Sequence, residues 1–165
     1  SNGLAEVVKM AMIGDSELFD ILEHEDIASN LDTIIERSLY IKKYVVENDE
    51  KEAGLRKTLN FGHTLAHAIE SANSMETYYH GECVGIGMIP MCSPNVRDRL
   101  ISVLQKLDLP TETAYTAEEL LEACRHDKKA SGELITVVFV HEIGKAELQT
   151  MPFAQYAALV KEWLG

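Results

Sequence analysis

Arg56-Lys57-Thr58-Leu59-Asn60-Phe61-Gly62-His63-Thr64-Leu65-Ala66-His67-Ala68-Ile69-Glu70 is the stretch on which the fold turns. With Asn60 as N-cap, its side-chain oxygen takes an orphan amide of the first turn, and the spacing predicts a helix running to about Ala72. Leu65, Ala66, Ile69 and Ala72 make one apolar side of that helix, while His63, His67 and Glu70 fall at i, i+4 and i+7 on another. Two imidazoles one turn apart can share a metal ion, or one can bind metal while the other faces a substrate. The pair lacks the adjacent glutamate of the zinc-protease helix, and two surface histidines on an ordinary amphipathic helix show the same spacing. Both readings stay open at this point.

Working outward, the 165 residues suit a single domain, and 46% hydrophobic content supplies a core. The net charge of −12 and isoelectric point near 4.9 argue against nucleic acid or an anionic membrane as partner, since both repel an acidic surface. Cys83, Cys92 and Cys124 are far apart and odd in number, which disfavours a disulfide framework or a thiolate zinc site and points to a reducing cytoplasm. No apolar run reaches membrane-spanning length and no signal peptide is visible. Ser1-Asn2 reads as a tag-cleavage remnant, so the chain is expected to begin inside a longer protein.

Upstream, Leu4 to Ile13 reads as a helix with Glu6 and Lys9 on one face, a pairing that a solvated salt bridge explains by itself. Gly14-Asp15-Ser16 ends it, and a short packing helix follows through Leu18, Phe19 and Leu22. From Leu31 to Val46, Leu31, Ile34, Ile35, Leu39, Lys42, Val45 and Val46 trace an apolar stripe that Lys42 interrupts. A lysine there either snorkels to water or meets an anion. The acidic run Glu47 to Glu52 reads as a solvated turn.

Downstream, Cys83 to Met91 is an apolar helix that His80 opens. Gly81, Gly85 and Gly87 do not form a dinucleotide fingerprint, and they suit close approach of two helices. Ser93-Pro94 is an N-cap and first-turn pair for a scaffold helix from Val96 to Leu107. Glu118 to Ala130 is a helix whose stripe is Leu121, Cys124 and Lys128, and at a helix C-terminus the dipole alone would favour that cation. Leu134 to Val140, a turn at His141-Glu142-Ile143-Gly144 and Lys145 to Thr150 make a hairpin, and Phe153 to Leu164 is a closing amphipathic helix. The fold class is therefore mainly α, a helical domain over residues 1–165 with one small β-hairpin.

Combined, these signals place one carboxylate, Glu6, with the imidazoles of His63 and His80, a set that leaves a zinc ion an open position. Lys9, Lys42, Arg56 and Lys128 are basic residues near that set or on inward faces, which suits an anionic substrate.

Gly3-Leu4-Ala5-Glu6-Val7-Val8-Lys9, Leu55 to Thr64 with His67, His80-Gly81-Glu82, Asp127-Lys128-Lys129 and Ile143-Gly144-Lys145-Ala146 resemble, in order, the signature of 3-dehydroquinate synthase. The resemblance spans nearly the whole chain and is confined to the C-terminal half of that enzyme, whose NAD-binding Rossmann-like N-terminal half has no counterpart here. It implies Glu6, His63 and His80 as ligands of Zn2+ or Co2+, and Lys9, Lys42, Arg56, Asn60, His67 and Lys128 as residues that contact the substrate or support its chemistry. On this reading His67 is not a second ligand of the helix. NAD is then held mainly by the missing domain, and homodimer formation is left open.

The implied reaction is that of a phosphate lyase, converting 3-deoxy-arabino-heptulosonate 7-phosphate to 3-dehydroquinate in the shikimate pathway of aromatic amino acid biosynthesis. It uses transient oxidation by NAD, loss of phosphate, reduction and an aldol closure. Met91 to Pro94 is shorter and richer in proline than the long helical connection of many members, a departure that bears on oligomer contacts rather than chemistry. Other sugar-phosphate cyclases, a more distant metal-dependent polyol dehydrogenase and a non-catalytic helical metal-binding module are the alternatives.

Overall fold

The structure, a computed structural model, describes residues 2–49, 54–72, 77–127 and 134–164, except the side chains of residues 126 and 127. The first helix, α1 (Asn2–Gly14), buries Ala5, Val8, Met10, Ala11, Met12 and Ile13, and Lys9 with them. Asp15 then sits in extended backbone as the N-cap of α2 (Ser16–His24), where its Oδ1 accepts from the Leu18 amide at 3.1 Å. Leu18, Phe19 and Leu22 of α2 are fully buried, which confirms the packing role expected of them. Each such side chain contributes about 1.5–3 kcal/mol by leaving water.

The long helix α3 (Leu31–Asn48) departs from the expected stripe. Ile34, Ile41 and Val45, at i, i+7 and i+11, face the core, whereas Leu31, Ile35 and Leu39 are exposed. Lys42 is exposed as well, so it does not point inward. The stripe is wider than one helix face, and α1 and α2 pack against one side of it only.

The decisive stretch also folds differently at its start. Residues Leu55–Asn60 form a 3-10 turn, Phe61 has φ −52° and ψ 127°, and Gly62 has φ +78°. This is the backbone of a type II turn, which requires the left-handed region at its third position. Helix α4 (His63–Ala72) therefore begins two residues later than the Asn60 cap would place it, and the Ala66 amide bonds to the Gly62 carbonyl instead.

Against α4 and α1 packs α5 (His80–Met88), nearly all of it buried. A Cβ on Gly87 would lie 2.1 Å from the Gly62 carbonyl oxygen, so the two backbones touch where no side chain fits. Gly85 meets only ordinary contact with Leu104. A 3-10 turn at Ile89–Met91 leads to α6 (Pro94–Lys106). Ser93 holds the N-cap position of α6, yet its hydroxyl donates to the His141 carbonyl at 2.9 Å.

In α7 (Ala117–Asp127), Thr116 and Glu119 exchange side-chain-to-amide bonds as a capping box, and Leu121 and Cys124 are buried as the stripe requires. Strands β1 (Leu134–Glu142) and β2 (Lys145–Pro152) pair antiparallel, with an irregularity between Val140 and Glu142. The connection is thus the two residues Ile143 and Gly144, tighter than the four-residue turn expected. The Gly144 amide donates to the Met12 carbonyl at 2.8 Å, docking the hairpin tip on the end of α1. Amphipathic α8 (Phe153–Leu164) closes the chain with Tyr156 and Val160 buried. Among the described residues no helix is long and apolar enough to cross a membrane, and Cys83, Cys92 and Cys124 are buried free thiols.

Candidate metal centre

Three elements meet at one end of the helical layer. Glu6 lies on α1, His63 is the first residue of α4 and His80 is the first residue of α5. One ligand atom from each lies within 4.8 Å of the other two. Among the described residues this is the group that could hold a metal ion. The His67 ring stands 5.9 Å from that of His63, exposed and outside the cluster. His80, from another helix, completes the set instead, with its ring 5.7 Å from that of His63.

Each member is fixed from behind. Glu6 Oε2 meets the Lys9 ammonium at 2.7 Å, leaving the other carboxylate oxygen available. His63 Nδ1 lies 3.1 Å from the Phe61 carbonyl oxygen, which can only accept, so Nδ1 carries the proton and Nε2 keeps its lone pair. The type II turn makes this contact, because it folds the Phe61 carbonyl back under the first residue of α4. His80 Nδ1 meets the Glu70 carboxylate in the same way.

Burial lowers the His63 pKa, and the nearby Lys9 ammonium lowers it further, against smaller opposing pulls from the Phe61 carbonyl and Glu6. The imidazole is therefore neutral near pH 7, the form that binds metal. Burial and the carboxylates of Glu70 and Glu82 push the Cys83 thiol up to about 11, so it supplies no thiolate.

Lys9 differs from its expected state. It is 5% exposed while the Glu6 side chain is 37% exposed, so the contact joins a buried ammonium to a partly solvated carboxylate rather than two solvated groups. Arg56 is half-buried on the 3-10 turn, and Asn60 at the end of that turn is exposed. The backbone bearing Arg56 is pinned by Asp49, whose Oδ2 accepts from the amides of Gly54 at 2.7 Å and Arg56 at 2.9 Å. Asp49 is thus an anchor within the segment read as a solvated turn. A carboxylate that caps a tight loop is a recognisable motif, but its partners lay five and seven residues away. Lys42 is on the exposed side of α3, and Lys128 lies outside the described residues.

The chain belongs to the family described as 3-dehydroquinate synthase C-terminal, whose model matches residues 3–130. The 3-dehydroquinate synthase of Dictyoglomus turgidum is 38% identical over 163 aligned residues, covering 89% of this chain and 46% of that protein. That of Streptococcus thermophilus is 37% identical, covering 98% and 49%. This chain therefore spans about half the length of the curated relatives it matches.

Among solved structures, a 2-epi-5-epi-valiolone synthase from Streptomyces hygroscopicus with NAD+ and Zn2+ bound superposes with a TM-score of 0.80 at 25% identity, over 98% of this chain and 50% of that one. A 2-deoxy-scyllo-inosose synthase complexed with carbaglucose-6-phosphate, NAD+ and Co2+ shares the fold with a TM-score of 0.75 at 20% identity, over 98% and 50%.

Proposed function

We propose that this chain is the metal- and substrate-binding half of a 3-dehydroquinate synthase. In that enzyme it serves the conversion of 3-deoxy-arabino-heptulosonate 7-phosphate to 3-dehydroquinate and phosphate, a cytoplasmic step of the shikimate pathway. The observation that carries the reading is the convergence of Glu6, His63 and His80, each with its outer atom already engaged. One oxygen and two nitrogen donors with room for a fourth ligand fit Zn2+ or Co2+. A divalent ion held there supplies Lewis acidity toward a substrate hydroxyl.

The remaining chemistry falls to the chain's own side chains. Lys9, paired with Glu6, would hold a substrate oxygen or move a proton to it. Arg56 and Asn60, on the 3-10 turn immediately before the metal helix, supply a planar cation and an amide for carboxylate or phosphate. His67, exposed one turn beyond His63 with its ring edge-on to that of His63, is available to substrate. Lys128 joins the anion-binding set on the strength of the family signature, whereas Lys42, outside the signature motifs and exposed on α3, joins it by the wider resemblance alone. NAD, like the domain that holds it, belongs to the other half of the relatives' length, and a homodimer is compatible with this division.

The same fold and a similar metal complement in the valiolone synthase favour one second reading, a sugar-phosphate cyclase with another carbocyclic product. Phosphate release separates the possibilities. With NAD and the heptulosonate phosphate, the chain joined to its nucleotide-binding half releases phosphate, and the chain alone stays at background. Robust turnover by this chain alone would contradict the division of labour, and turnover by the joined enzyme only with a different sugar phosphate would support the second reading.

A further inference from the structure

We propose that Glu70 is a positioning residue for the metal centre, fixing the tautomer and orientation of His80. The inference rests on reading Glu6, His63 and His80 as the metal site, and adds a residue outside that set. Three observations carry it. The Glu70 carboxylate meets His80 Nδ1, and a carboxylate only accepts, so the ring proton sits on Nδ1 and Nε2 is left to the ion. The His80 side chain is 53% exposed at the first position of α5, so packing covers less than half of it. Its two companions do not share this problem: His63 is held by the Phe61 carbonyl and Glu6 by Lys9.

Glu70 and His63 belong to the same helix, at i+7 and i. One helix therefore provides both a metal ligand and the brace for the ligand on its neighbour, so the spacing of α4 and α5 is translated directly into the geometry of the site. A carboxylate behind an imidazole also makes the ring a stronger donor, and outer partners of this kind are worth about tenfold to a hundredfold in metal affinity.

The test uses Co2+ and Zn2+ in competition with a chromophoric chelator, on the chain as it stands, its E70A and E70Q variants and H63A. E70A should bind about tenfold to a hundredfold more weakly than wild type. E70Q should fall between them, because the amide oxygen still accepts the ring proton but brings no charge. The metal-free melting temperature should be unchanged in both. Nitrogen-15 spectra of the metal-free chain, above the imidazole titration range, should show His80 protonated at Nδ1 in wild type and E70Q and mixed between its nitrogens in E70A.

Wild-type affinity and an unmixed tautomer in E70A would overturn the role of Glu70 alone, provided H63A has lost the ion. A lowered metal-free melting temperature in E70A with the tautomer unchanged would also overturn it, making Glu70 a helix-to-helix tie. A wild-type chain that binds no ion better than H63A would overturn the metal reading and this proposal together.

Discussion

Lys9 is 5% exposed and its ammonium is held 2.7 Å from Glu6. Burying the ammonium costs desolvation that its contact with Glu6 offsets, and because the Glu6 side chain is 37% exposed, the carboxylate left behind by an apolar replacement of similar volume stays in contact with water. Lys9→Met should therefore leave the melting temperature level or raise it. In the full enzyme it should lower kcat/KM about tenfold or more, the scale of one lost charge-assisted hydrogen bond. Thermal melts and steady-state rates on the same preparation check both halves of this expectation, and an unaffected rate would make Lys9 scaffold.

At this scale the sequence was informative about residue type and spacing and silent about depth. Glu6, His63 and His80 could be picked out, but the burial of Lys9 and the exposure of Lys42 ran opposite to what their helical positions suggested. A period identifies which residues share a face, and the packing of neighbouring helices decides whether that face is covered.

Among elements, the contact between α4 and α5 governs the site. Gly62 is at φ +78°, and a Cβ added to Gly87 would stand 2.1 Å from its carbonyl oxygen and 3.0 Å from the Ala66 amide nitrogen. Both obstacles are backbone, which cannot rotate aside. Gly87→Ala must push the two helices apart, and overpacking in a full core costs about 1–3 kcal/mol or more. The same displacement separates His63 from His80. The variant should melt lower than wild type and lose metal affinity by a larger factor than the melting shift alone explains. Titration of the folded variant with Co2+ reads this, and retained affinity in a destabilised variant would show that the helix spacing does not set the site.

The close approach of two helices was legible in the run of glycines, though only Gly87 has its space taken by the α4 backbone. The start of α4 was not legible in the same way. Asn60 is a good cap by residue type, but Phe61-Gly62 forms a type II turn that uses the glycine's left-handed backbone, and the helix can begin only after it. That later start is what brings the Phe61 carbonyl under His63 Nδ1.

For the whole molecule, helical periods of apolar residues and one β-branched run sufficed to read a helical domain with a single hairpin, since local patterning and core packing agree along most of the chain. Long-range docking was beyond that reading. The Gly144 amide reaches the Met12 carbonyl and the Ser93 hydroxyl reaches His141, and no local period encodes such pairs. The Glu6, His63 and His80 cluster is of this long-range kind, drawn from α1, α4 and α5, and family resemblance rather than spacing singled out His80 over His67 as the proposed ligand. The most direct measurement is anomalous diffraction at the zinc edge from crystals of this chain grown with Zn2+, with H63A crystals alongside. The account predicts one peak bounded by Glu6, His63 and His80 and its disappearance in H63A. A peak ligated by both His63 and His67, or one that survives the loss of His63, would contradict it.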